Sequence, residues 1–148
     1  MSKLFVGYDL GDGDTMVSRV VNGSIKDVLL PGCRTEGVPI PSIIGVDRGG
    51  VLRAGKSLLQ MKTDGFSELS ASFKRRPSTL NPTDLAQYAD RVKKFTETLF
   101  SDPLFFKRAF VGDVGSASNR YADEAVVYVG HPTTWNEKDV ALYRGFFE

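Results

Sequence analysis

Two runs of strand-forming residues, 4–10 and 15–21, stand on either side of Gly11-Asp12-Gly13-Asp14, and Asp9 sits at the mouth of that Gly/Asp insert. β-Branched and aromatic side chains favour extended chain, and a Gly/Asp cluster supplies the turn between such runs. Asn22-Gly23 follows, a dipeptide suited to the positive φ angles of a tight hairpin turn, and leads into a third run at 25–30. The prediction is an antiparallel meander. Its second turn reads as structural and its first as functional, because a glycine-rich turn can aim backbone N–H groups at phosphate and hold a carboxylate near a metal ion.

Pro31-Gly32 stops the meander, and Val38-Pro39-Ile40-Pro41 reads as extended chain. A strand at 42–46, a turn at Asp47-Arg48-Gly49-Gly50, a return strand at 51–55 and a short helix at 57–62 come next. Residues 63–80 read as a loop or a weak helix. Leu85, Tyr88, Ala89, Val92, Phe95 and Leu99 then recur at helical spacing, and Asn81-Pro82-Thr83-Asp84 carries the start signals of a helix. Pro103 is expected to interrupt it, with Leu104, Phe105, Phe106 and Phe110 forming a packed connection and 112–120 a loop. Residues 124–130 have the near-continuous apolar character of a buried strand. After a turn at 131–135, Asn136-Glu137-Lys138-Asp139 opens a helix that is expected to be still running at Glu148, its Phe146 and Phe147 docking on something further along. The expectation is therefore an N-terminal piece of a longer protein.

The 148 residues are enough for one ordinary domain or part of a larger one. Nineteen basic residues against eighteen acidic ones leave a charge of +1, which supplies no global field to gather nucleic acid or an anionic membrane. A single cysteine, Cys33, excludes an internal disulfide and a thiolate metal cluster. No leader-like start and no membrane-length apolar run stand in the sequence. A cytoplasmic protein, with neither nucleic acid nor membrane as partner, is the expectation.

Four stretches, in order, resemble the N-terminal part of the seventy-kilodalton heat-shock chaperones, members of the actin-like, ribonuclease-H-like ATPase superfamily. Val6-Gly7-Tyr8-Asp9-Leu10-Gly11 looks like their first phosphate motif, and Arg34-Thr35-Glu36-Gly37-Val38-Pro39-Ile40-Pro41-Ser42-Ile43-Ile44 is similar to their Arg-Thr-x-Pro-Ser segment with residues inserted. Phe73-Lys74-Arg75 resembles their Ala-Lys-Arg step, and residues 125–136 resemble the strand ending in Val-Pro-Ala-Tyr-Phe-Asn. The resemblance implies an α/β fold: a partial N-terminal lobe with a mixed sheet and flanking helices. Residues 1–33 and 122–148 would form its core subdomain and 34–121 an inserted one. It implies ATP or ADP with Mg as cofactors, Asp9 near the metal, and Gly11, Asp12, Gly13, Asp14 and Thr15 around the β- and γ-phosphates. Lys74 would act as a catalytic group beside the γ-phosphate. Unfolded polypeptides and co-chaperones would bind through other parts of the protein. The second phosphate loop of the family lies beyond residue 148, so the chain would hold half an active site and be inactive alone.

The sequence departs from that family where hydroxyl residues usually follow the motif glycine, since Asp12, Gly13 and Asp14 stand there instead. At roughly 5 Å and an effective dielectric of about 20, each extra carboxylate would cost a bound polyanion about 3 kcal/mol, unless a divalent cation were shared between them. Three alternatives follow: a filament-forming relative, a sugar kinase, or a pseudo-ATPase scaffold that has lost its nucleotide. The Asp9, Asp12 and Asp14 spacing does not match the twelve-residue calcium loop. His131 reads as a turn residue, Trp135 and the phenylalanines as packing, and Cys33 as inert.

Overall fold

The computed structural model describes residues 3–21, 23–28, 40–54, 65–70, 73–110 and 124–148. The predicted meander forms. Strands β1 (Lys3–Leu10), β2 (Asp14–Val21) and β3 (Ser24–Asp27) pair antiparallel in sequence order. Gly23 has φ 77°, the left-handed conformation that suits glycine at the second turn. A two-residue strand β4 (Ile40–Pro41) pairs with the start of β2.

A second, three-stranded sheet contains β5 (Ile44–Asp47), β6 (Leu52–Arg53) and β7 (Phe66–Ser70), with β5 in the middle. Asp47 ties its hairpin, Oδ1 accepting from the amides of Gly49 and Val51 at 2.9 Å each. The strand β7 corrects the loop or weak helix expected at 63–80. Its two apolar residues, Phe66 and Leu69, stand three apart and do not announce a strand, and pairing with β5 fixes it. The expected helix at 57–62 and the loop at 112–120 lie outside the described residues, as do Cys33 and Arg34.

Helix α1 (Pro82–Phe100) runs as the apolar stripe predicts, with Pro82 in its first turn and the Asn81 side chain accepting from the Asp84 amide at 2.8 Å. Its buried face is Tyr88, Val92, Phe95 and Leu99. Pro103 does not lead into a mere connection. It opens a second helix, α2 (Pro103–Phe110), whose first amides at Leu104 and Phe105 are capped by the Asp102 carboxylate at 3.0 Å. A proline in the first turn lacks only an N–H that has no intrahelical partner there, so it starts a helix as readily as it ends one.

Strand β8 (Glu124–Val129) runs parallel to β1 with Val6 opposite Val127, giving the sheet order β3-β2-β1-β8. It corrects the expectation of a buried strand. Among the described residues β8 pairs with β1 alone, and Val127 and Tyr128 are exposed. Helix α3 (Glu137–Arg144) begins with a reciprocal cap between Asn136 and Asp139 and stops at Gly145 rather than running to Glu148. Phe146 and Phe147 turn back to meet the Tyr143 ring at 5.6 and 5.1 Å, and Phe147 also meets Tyr8 at 6.1 Å.

The alternation of β1 and β2 decides where the core lies. Val6, Tyr8, Leu10 and Val17 point to one face of the sheet and are buried against Phe73, the α1 stripe, and Phe105 and Ala109 of α2. Full burial of each large apolar side chain contributes about 1.5–3 kcal/mol. The residues between them, Phe5, Gly7 and Asp9, face the other way. Register brings Phe5 together with Val20, Ile25 and Tyr128 on that second face, and all four are exposed.

Candidate functional site

The β1–β2 turn is built tightly around Gly11. Its N–H donates to the Asp14 carbonyl at 3.0 Å, and a Cβ at position 11 would stand 2.2 Å from that same oxygen. Only glycine fits there. The turn is tied to the strand after it by the Ser42 amide, which donates to the Gly13 carbonyl at 2.8 Å. Asp12, Gly13 and Asp14 are exposed, and the amides of Asp12 and Gly13 find no acceptor among the described residues. Thr15 is different. Its side chain is buried and its hydroxyl lies 2.7 Å from that of Ser42, so it joins β2 to the β4–β5 segment rather than facing the turn's mouth.

Asp9 lies on the open face of β1 with a side chain 68% exposed. Lys74 comes to it from 65 residues away. Its Nζ lies 3.5 Å from Asp9 Oδ1 and donates to the Gly130 carbonyl at 3.1 Å, while its backbone amide donates to Asp12 Oδ1 at 3.2 Å. The ammonium also stands 5.7 Å from the centroid of the Tyr143 ring, within cation–π range. Burial holds the Lys74 ammonium below the usual lysine value, against the opposing pull of the Asp9 charge and hydrogen bond and then of Asp12. Thus one lysine, two carboxylates and a glycine-rich turn from the sequence expectation meet in one place.

Gly130 completes the arrangement and was not singled out from the sequence as a site residue. It follows β8, its N–H donates to the Tyr8 carbonyl at 2.9 Å, and a Cβ on it would fall 2.9 Å from Asp9 Oδ1. The bare Cα lets the carboxylate lie against the end of the neighbouring strand. A glycine at the end of an apolar strand is the one sequence signal that could have found it. The Tyr143 ring, half a helix further on, gave no such signal. Its hydroxyl is buried without a hydrogen-bond partner among the described residues, and burial pushes its pKa far up.

An open cavity of about 370 Å3 lies beside Asp9, lined by Gly7, Met16, Ser18, Tyr128, Gly130 and His131 among others. His131 stacks its ring on Trp135 at 6.3 Å and places Nδ1 3.0 Å from the Pro132 carbonyl, as a turn residue does. A larger cavity of about 720 Å3 is lined largely by aromatic and aliphatic side chains on the helix side of the sheet and includes neither Asp9 nor Lys74. Among the described residues no group of three or more His, Cys, Asp or Glu side chains is placed to hold a metal ion. A magnesium ion that keeps most of its waters and takes its remaining oxygens from phosphates needs only one carboxylate, and exposed Asp9 fits that demand.

No protein-family model matches the chain, and no curated protein does. Solved structures do. MreB 5 of Spiroplasma citri bound to AMPPNP is similar over 99% of this chain and 35% of its own, at 12% identity and a TM-score of 0.53. The same protein bound to ADP is similar over 98% of this chain and 34% of its own, at 12% identity and a TM-score of 0.50. The fold is actin-like. The chain spans about a third of the length of those structures. Among the described residues no helix is long and apolar enough to cross a membrane.

Proposed function

We propose that this chain is a phosphate-binding lobe of an actin-like ATPase of the filament-forming kind. The observation that carries the reading is the convergence of Asp9, Lys74 and the Gly11–Gly13 turn at the open end of β1 on an actin-like fold. Binding of AMPPNP and ADP in the two MreB structures named above supports ATP or ADP as the ligand. The amides of Asp12 and Gly13 would receive phosphate oxygens, and Asp9 would orient a water on magnesium. Lys74 would stand beside the transferred group and offset its growing negative charge. Bound magnesium would supply neutralisation of the phosphates and polarisation of the attacked phosphoryl group. Thr15 would contribute through packing, since its hydroxyl is turned to Ser42.

Both structures named above are MreB, and this favours the filament-forming alternative over a chaperone that takes unfolded polypeptides and co-chaperones. The cytoplasm is the compartment that ATP use implies. The test is a titration of the full-length protein with Mg-ATP, read by heat and by thermal shift, followed by sedimentation with and without nucleotide. Binding that disappears in Asp9→Ala and pelleting that depends on nucleotide are the expected results. Absence of any shift at millimolar nucleotide would leave the lobe as an interaction scaffold.

A further inference from the structure

Lys74 lies in an irregular segment, with no regular strand or helix of its own to hold it, yet it must meet Asp9 within a few ångströms. A buried carboxylate of α3, distant in sequence, bonds to that segment. We propose that Asp139 of α3 is a positioning residue that clamps the 73–79 segment to α3 and thereby sets Lys74 against Asp9 and Gly130, an inference that rests on the nucleotide reading of the site.

Asp139 is fully buried, and its two oxygens are shared between two jobs. Oδ1 accepts from the Ser78 amide at 2.9 Å; Oδ2 accepts from Arg76 Nε at 2.8 Å and from the Asn136 amide at 3.2 Å. A helix cap needs only the last of these. The other two reach across 61 and 63 residues to the short 3-10 turn at Pro77–Thr79. Burial raises the cost of the Asp139 charge, but the hydrogen bonds from Ser78, then Arg76 and Asn136, outweigh it and hold the carboxyl well below its ordinary value. The clamp therefore keeps its charge through the physiological range. The segment is pinned at its other end as well, where the Tyr88 hydroxyl donates to the Phe73 carbonyl. One turn of α3 beyond Asp139, Tyr143 places its ring under the Lys74 ammonium. Helix α3 thus touches the Lys74 segment at two points, one ionic and one aromatic.

Asp139→Asn is the direct probe. Its amide nitrogen would face either two N–H donors or the Ser78 N–H, so no rotamer preserves all three bonds. Arg76→Gln is the second, because it removes the ionic one of the two long-range contacts and leaves the Ser78 contact and the α3 cap intact. Two readouts are taken on the full-length protein. The first is the ring-current shift that Tyr143 imposes on the Lys74 ε-methylene protons in NMR, assigned by its disappearance in Lys74→Met. The second is Mg-ATP turnover. Both variants are expected to lose that shift while keeping the fold's other signals, and turnover is expected to fall by about a hundredfold in Asp139→Asn, as for a misplacement of about 1 Å. An unchanged Lys74 signal in folded Asp139→Asn, or in Arg76→Gln should the first variant not fold, overturns the inference. Loss of the signal in a protein whose wild type neither binds nor turns over nucleotide upholds the clamp and refutes the nucleotide reading.

Discussion

Replacing Lys74 with methionine separates what this ammonium does for folding from what it does for a ligand. Methionine keeps the packing of the buried stem and removes the charge. At 3.5 Å from Asp9 the Coulomb attraction is about 5 kcal/mol at an effective dielectric of 20 and about 1 kcal/mol in water. The Asp9 side chain is 68% exposed, so solvent screening brings the pair to the lower end, about 1 kcal/mol or less. Burial of the ammonium works against even that gain. The melting temperature is therefore expected to move by no more than about 4 °C. Loss of one preorganised group facing the growing charge of a phosphoryl transfer costs about 3–4 kcal/mol, or about 10²–10³ in turnover. Thermal unfolding and steady-state ATP hydrolysis on the full-length protein read the two effects side by side. A melting temperature lowered by more than about 10 °C with turnover unchanged would refute the reasoning and make Lys74 a structural ion.

Gly130→Ala places a methyl group 2.9 Å from Asp9 Oδ1; since that carboxylate is exposed it swings aside, so Mg-ATP affinity should fall while the melting temperature holds. Asp14→Asn and Asp12→Asn should each tighten metal-free ATP binding by about tenfold or more, because each removes a like charge from the mouth of the turn; unchanged affinity by calorimetry would place the phosphates elsewhere. Alkaline pH should unfold the protein cooperatively. Burial raises the pKa of Tyr88 to about 12, and pushes those of Tyr8 and Tyr143 higher still. A raised folded-state pKa contributes stability that is present below the unfolded value near 10 and is lost as pH rises through the folded one. Three such tyrosines should cost about 4 kcal/mol per pH unit between about pH 10 and 12, only partly offset by Lys74, whose depressed pKa acts in the opposite sense. Tyrosinate absorbance and circular dichroism should change together, and tyrosines that ionise near pH 10 in a protein that stays folded would contradict the burial argument.

Local chemistry determined much of this protein from sequence alone. The meander followed from two runs of strand formers and their Gly/Asp and Asn-Gly turns, and α1 from an apolar stripe with Asn81 and Pro82 at its head. In each case the residues that decide the structure are neighbours in the chain, so their preferences act before any tertiary contact forms. Asp9 and the Gly11 turn were legible as a motif for the same reason, and Lys74 through the resemblance of Phe73-Lys74-Arg75 to a family step. Their meeting was not. Tertiary structure decided that β8 would run parallel beside β1 and bring Gly130 to Asp9, that β7 would form at all, and that Pro103 would begin a helix. It also decided that Phe146 and Phe147 would turn back onto Tyr8 and Tyr143, and that Thr15 would bury its hydroxyl against Ser42. Apart from the Asp102 cap at the start of α2 and the Tyr143 contacts of Phe146 and Phe147, these depend on partners tens of residues away, and a composition or a periodicity carries no record of which distant surface a segment will meet.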